Sequence, residues 1–154
     1  MLVGAAIGYR VRSFWAIFVV AIFFHFLLDR LPHWEYHGKF DSQKIQLREL
    51  SHIFFKALLD LSTGAFILWI FWKDSPYLSY ISVGAFISIL PDGMTFLHLL
   101  MRVLLKRDNP VLEKFYWLHE KNHIQNSRNY PLWGLAAQSL VVILSIYYFI
   151  HGGS

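Results

Sequence analysis

Long apolar segments constrain the fold of this chain more than any other feature. Four segments of the 154-residue sequence are apolar over most of their length and not along one stripe only, which is typical of helices surrounded by lipid or deeply buried. A membrane-spanning helix needs about 20 residues. The first, second and fourth segments reach this length. The third segment stops at Pro91, so it could be tilted, partial or extended by the next helix. The segments are residues 13–31, 52–72, 77–90 and 132–150.

The sequence therefore predicts an all-α, polytopic membrane protein with about four transmembrane helices. A single integral membrane domain is expected to cover residues 1–154. The alternative is a soluble bundle built from very apolar helices.

The connection formed by residues 92–130 has a different pattern. Its first part places leucine and phenylalanine on one side and basic residues towards the other, which predicts an amphipathic helix lying in the membrane interface. The sequence Asp108-Asn109-Pro110 then predicts a stop and a restart, with Asn109 or Asp108 as the cap. A second helix, which carries histidines, is expected over about residues 110–126.

Composition and charge limit the partners. The hydrophobic fraction is 56%, the mean hydropathy is +0.41 and cysteine is absent, which excludes disulfides and thiolate metal sites. The net charge of +4 is spread over loops, so membrane lipid is the expected partner and nucleic acid is not. Nine Lys and Arg residues lie in the first loop and the long third connection, and three lie in the other regions outside the apolar segments. Because positively charged loops usually stay in the cytoplasm, this distribution predicts that both long connections are cytoplasmic and both termini are external.

This topology brings acidic and histidine side chains from separate segments to one face of the membrane. His25 and Asp29 are spaced i, i+4, as are His119 and His123, so each pair shares one face of its helix. His52 starts the second segment at the same face. The candidate metal ligands are His25, Asp29, His33, Asp92, His119 and His123.

A bound cation would explain why these groups are tolerated. Placing one ionised carboxylate in hydrocarbon costs about 2.5 to 3.5 kcal/mol on insertion scales. Imidazole and carboxylate are ligands for Zn²⁺, Mn²⁺ or Fe²⁺, and Zn²⁺ is the first expectation. Asp60 or Glu120 is a candidate catalytic base, and Arg30 and Lys121 are candidate anion contacts.

Each candidate also has a purely structural alternative. Asp29 could pair with Arg30, and Asp60 could pair with Lys56. The histidines could make interhelical hydrogen bonds, join an interfacial aromatic belt or face solvent. Asp92 could cap a helix after Pro91. Two further histidines are interpreted as structural, namely His98 and His151.

The motifs "HFLLDRLPHWEY" and "ILPD" resemble the YdjM-like bacterial inner-membrane proteins, which are regarded as membrane-bound metal-dependent hydrolases. The segment "LVGAAIG" is also similar to their first helix. The resemblance implies a multi-pass inner-membrane protein that uses the six candidate ligands named above. The family's His before "LVGAAIG" and its "HRGxTHS" element are absent, and "HEKNH" is the nearest substitute. The zinc phospholipase C and P1 nuclease group is a more distant analogy.

The leading functional hypothesis is a membrane-embedded metal-dependent hydrolase of phosphoester bonds, in a lipid or another substrate near the membrane. The alternative is a non-catalytic accessory subunit that docks a protein partner in a larger membrane complex. Haem binding by His25 and a second histidine, or metal-ion transport, would also use buried polar groups. The many carboxylates argue against haem, and the collection of polar groups at one face argues against a transport path.

Overall fold

The computed structural model describes residues 1–31, 45–122 and 131–151, and within these ranges the chain is helical and contains no strand. The described ranges contain six α-helices, and a π-helical turn, Met101–Leu105, continues the fourth. In chain order they are α1 Leu2–Val11, α2 Phe14–Leu28, α3 Leu47–Trp72, α4 Leu78–Leu100, α5 Pro110–Asn122 and α6 Pro131–His151.

Two of the described helical segments are long and apolar enough to cross a membrane, by length and composition: Leu47–Trp72 and Leu78–Leu105. Three other apolar helical stretches are shorter, namely Leu2–Val11, Phe14–Leu28 and Leu132–Tyr148. The first apolar segment, residues 13–31, forms α2, which is shorter than the spanning helix that was expected and is separate from α1. Arg12 adopts a left-handed conformation (φ 52°) that ends α1, and Ser13 begins α2 in an extended conformation.

The third apolar segment does not stop at Pro91. Instead, α4 continues through this proline to Leu100, which agrees with the alternative that the next helix extends the segment. A proline inside a helix removes one backbone hydrogen bond, so it needs support from packing. Pro91 is among the most completely buried side chains of the described residues. The separate interfacial helix expected from residue 92 onwards is therefore wrong: this stretch is the second half of α4.

Local sequence explains where α3 and α5 begin. Gln46 and Glu49 form a capping box at α3, in which the Gln46 backbone N–H donates to the Glu49 carboxylate at 3.0 Å. At α5 the Asn109 Oδ1 accepts hydrogen bonds from the amides of Val111 (3.0 Å) and Leu112 (3.2 Å). The predicted restart after Asn109 is therefore confirmed, with Pro110 in the first turn.

The helix α4 is the centre of the bundle, because α1, α2 and α5 all pack against it. Its contact with α1 is the most extensive and is built on Gly4, Gly8 and Gly84, where the two backbones approach too closely for any side chain. A small core of Ala5, Trp72, Ile81 and Ala85 lies beside this contact. Gly84 therefore serves packing within the chain.

We expect Gly8→Ala to destabilise the bundle by about 1–3 kcal/mol, because the new Cβ atom would overlap the backbone carbonyl of Tyr80. Gly93→Ala is the matched control, since a Cβ atom at Gly93 meets nothing within 4 Å. The control should keep or slightly raise stability through its better helix propensity. Thermal unfolding in detergent, followed by circular dichroism, measures both. Equal melting temperatures for the two variants would contradict the close approach of α1 and α4.

The helices α4 and α5 run antiparallel and share a line of paired side chains. Successive contacts join Asp92 to His119, His98 to Tyr116, and Arg102 to Glu113. This α4–α5 seam places the histidine of α5 opposite the carboxylate of α4. The candidate site around Asp92 and His119 lies at one end of the seam, and the charged pair of Arg102 and Glu113 lies at the other.

Candidate metal centre

The first part of the site comes from one turn of α2. His25 is 8% exposed, and its Nε2 lies 3.2 Å from the Asp29 Oδ2, one helical turn further along. Asp29 caps the end of α2 and its side chain is only 13% exposed. The i, i+4 spacing in the sequence therefore produces direct contact between an imidazole and a carboxylate.

The second imidazole comes from α5. His119 is 3% exposed, and its Nε2 lies 3.2 Å from the Nε2 of His25. The two rings stack with their centroids 5.4 Å apart and their planes inclined by 27°. Two residues separated by 94 positions in the sequence thus point their ring nitrogens at the same place.

Both carboxylates lie next to both imidazoles. The Asp29 Oδ2 is 3.5 Å from the Nε2 of His119. From α4, the Asp92 Oδ1 is 3.8 Å from the Nε2 of His25 and 3.3 Å from that of His119. We call this set, His25, Asp29, Asp92 and His119, the His–Asp cluster.

The distances within the His–Asp cluster fit a shared divalent cation. His25, Asp92 and His119 each offer one ligand atom, and these atoms lie within 4.8 Å of one another. Ligand atoms about 2.0 to 2.1 Å from a tetrahedral zinc ion are about 3.3 Å apart. The two Nε2 atoms at 3.2 Å, and the His119–Asp92 pair at 3.3 Å, match this separation. The group could therefore hold a metal ion.

The cluster is open to the outside at one point. The Asp92 side chain is 62% exposed, whereas both imidazoles are buried. A site with three protein ligands and one accessible side resembles the catalytic arrangement of metal centres more than the closed structural one. A purely structural alternative is a protonated imidazole that pairs with the two carboxylates.

Other candidates from the sequence lie elsewhere. His33 and His123 are outside the described residues. His52 and Asp60 are exposed on α3 and are not members of the His–Asp cluster as the described residues form it. Glu120 is exposed next to buried His119. The catalytic roles of Asp60 and Glu120 remain predictions.

One further residue organises the site and was missed by the sequence analysis. The Asn122 side chain joins the ends of α5 and α2: its Nδ2 donates to the Phe26 carbonyl at 2.7 Å, and its Oδ1 accepts from the Arg30 Nε at 3.0 Å. Arg30 and Asn122 thus tie together the two helices that carry His25 and His119. The signal available in the sequence was the i, i+3 spacing of His119 and Asn122, which puts both on one helix face.

Lys121, the other candidate anion contact, is exposed and its Nζ lies 4.9 Å from the centroid of the Trp117 ring. It therefore contacts an aromatic ring of its own helix and lies on a different face from His119.

No protein-family model matches this chain, and neither a curated protein nor a solved structure matches it, so the interpretation of the site depends on its own geometry.

Proposed function

We propose that this protein is a metal-dependent hydrolase of phosphoester bonds whose centre is the His–Asp cluster. The observation that carries the proposal is the convergence of His25, Asp92 and His119 from three helices onto one point. A divalent cation bound there, Zn²⁺ or otherwise Mn²⁺ or Fe²⁺, would supply Lewis-acid polarisation of a phosphoryl oxygen. The exposed Asp92 gives a substrate access to that point.

The chain's own residues would orient the substrate and move protons. Asp29 lies against both imidazoles and keeps negative charge beside them, which favours a cation at the cluster. Glu120 is exposed and directly follows His119 in the sequence, so it is closer along the chain to a residue of the cluster than Asp60, the other predicted base. Arg30 is exposed at the end of α2 and is a donor for an anionic substrate group.

We also propose that the protein is a multi-pass protein of a bacterial inner membrane, with about four spans and the His–Asp cluster at the cytoplasmic face. The support is the two long apolar helices together with the large apolar side chains that α3 exposes, among them Phe55, Leu59 and Phe66. Such a surface suits contact with lipid. The resemblance to YdjM-like proteins, which rests on the motifs around His25 and Asp92, is part of this proposal.

The test is hydrolysis of bis-p-nitrophenyl phosphate and p-nitrophenyl phosphate by detergent-purified protein loaded with Zn²⁺, Mn²⁺ or Fe²⁺. We expect Asp92→Asn to lower the rate at least about a hundredfold, since the lost ligand removes several kcal/mol of charge stabilisation. Asp74→Asn is the matched control, because Asp74 is an exposed aspartate in the connection between α3 and α4.

Equal rates for the two variants, or no turnover with any of these metals, would contradict the hydrolase proposal. Purification of the chain in a larger assembly that lacks both metal and turnover would instead support an accessory subunit.

A further inference from the structure

A concave region lies along the α4–α5 seam, away from the His–Asp cluster. Its volume is about 420 Å³, and it begins near His98, which follows Asp92 by six residues and so lies about 9 Å further along α4. We call it the seam cavity. The side chains that matter for its chemistry are His98, Arg102, Glu113, Lys114, Tyr116 and Trp117.

One of the residues that line the seam cavity, His98, carries a buried polar atom. His98 is 1% exposed, and its Nε2 has no hydrogen-bond partner among the described residues. Its ring stacks on Tyr116, with centroids 5.1 Å apart, so the imidazole is fixed in orientation. A buried polar group without a hydrogen-bond partner costs free energy, and a ligand that binds to it recovers that cost.

Two basic side chains lie at the cavity wall, and one of them, Arg102, is paired with Asp108 and Glu113. Arg102 and Lys114 line it together with one carboxylate, Glu113, and the first residue of α5, Pro110. The positive end of the α5 dipole therefore points towards the same space. The Asn109 side chain caps the first amides of α5, so an anion would be bound by side chains and assisted by the dipole.

The guanidinium of Arg102 is held at the cavity wall by two acids. Its Nε donates to the Asp108 Oδ1 at 2.6 Å, and one terminal nitrogen lies 3.7 Å from the Glu113 Oε1. This hydrogen bond also keeps the pKa of the Asp108 carboxyl below its ordinary value. The contact is therefore present at neutral pH and is lost only as the pH falls through that lowered value.

The backbone that carries Arg102 is unusual. It belongs to the π-helical turn Met101–Leu105, which ends at Lys106 in a left-handed conformation (φ 50°). Such turns are rare and are often found at functional sites. Here the turn belongs to the helix end that faces α5, and Arg102 reaches both acids from it.

We propose that the seam cavity binds a phosphate group, either a free phosphate ion or the headgroup of a phospholipid. Arginine binds phosphate through its planar fork and lysine does so as a point charge, while the buried imidazole of His98 supplies a further hydrogen bond. Tyr116 and Trp117 offer apolar surface to the organic part of a phosphodiester. Glu113 is an acid in the wall, so a singly charged phosphate group, whether a diester or the monoanion of inorganic phosphate, should bind more tightly than a dianion.

The experiment uses full-length, metal-loaded protein in detergent and measures binding of inorganic phosphate and of short-chain dihexanoyl phosphatidylglycerol by calorimetry. We expect Arg102→Gln to weaken binding about tenfold or more, because a charge-assisted bidentate contact is lost. Lys114 is exposed, so Lys114→Gln leaves the fold intact and should weaken binding about threefold. Arg107→Gln, which removes an exposed positive charge from the same connection, is the matched control and should bind as the wild type does.

Histidine labelled with ¹⁵N gives an independent signal, because the Nε2 resonance of His98, assigned with His98→Gln, should shift when either probe binds. Binding of the diester alone or of both probes identifies a headgroup site, and binding of inorganic phosphate alone identifies a free-anion site; each supports the proposal. Three results would overturn it: no binding of either probe, equal loss in Arg107→Gln and Lys114→Gln, or binding that survives Arg102→Gln and disappears in His25→Ala. The last result would place the phosphate at the His–Asp cluster, so this inference can fail independently of the proposed function.

Discussion

Replacing His119 by alanine should reduce the bound metal from about one ion per chain to background, because a site with three protein ligands cannot hold its ion on two. His119 is the residue of choice because its Nε2 is within 3.5 Å of three other cluster atoms, on His25, Asp29 and Asp92. The measurement is metal content by mass spectrometry on detergent-purified protein, before and after a chelator wash. Metal that stays at the wild-type level in the variant would remove His119 from the site.

Two further variants make this result specific. His52→Ala removes an exposed histidine of α3 and should leave the metal content unchanged. His119→Gln nearly preserves the volume of the buried side chain, so it separates loss of a ligand from a cavity created in the seam. If the alanine variant loses metal and the glutamine variant keeps it, the loss reflects packing and not ligation.

Metal retention should also decrease as the pH is lowered, because protons compete with the cation for the imidazole nitrogens. A protein whose cluster is held together only by protonated imidazoles and carboxylates would show the opposite trend in stability, since acid would favour the charged form of its histidines. Thermal unfolding at several pH values, with and without added Zn²⁺, distinguishes the two cases. Stabilisation by Zn²⁺ at neutral pH that disappears in acid is the expected outcome.

The sequence predicted part of the site because the relevant information is local. The spacing of His25 and Asp29 places both on one face of a helix whichever fold surrounds it. The restart at Asn109 was equally readable, since an asparagine before a proline provides both a cap and a first turn. The meeting of His25 with His119 followed from an expected topology in which separate segments converge at one face.

The remaining features depend on tertiary packing and could not be obtained from one sequence. Continuation of α4 through Pro91 needs the burial of the proline ring, which only the neighbouring helices provide. His98 was interpreted as structural from the sequence. Arg102 follows it by one helical turn, but Glu113 and Tyr116 come next to it only because α5 folds back along α4.

Asn122 offers the second large effect, because its side chain joins the end of α5 to the end of α2 through two hydrogen bonds. We expect Asn122→Leu to lower metal affinity about 10- to 100-fold, the usual cost of losing a group that orients metal ligands. Leucine branches at Cγ as asparagine does, but it cannot replace the hydrogen bonds to the Phe26 carbonyl and the Arg30 guanidinium. Affinity is measured by competition with a chelator of known strength.

A positioning role differs from a general loss of stability in two readouts. The visible spectrum of the Co²⁺-loaded protein should change in Asn122→Leu, since the angle between the His25 and His119 rings is no longer fixed. Asn109→Ala is the matched control: it removes an asparagine that also makes two hydrogen bonds, and it should cost about 1 kcal/mol of stability while the spectrum and affinity stay as in the wild type. An Asn122→Leu protein with normal affinity and an unchanged spectrum would show that α2 and α5 hold the two imidazoles together without this clamp.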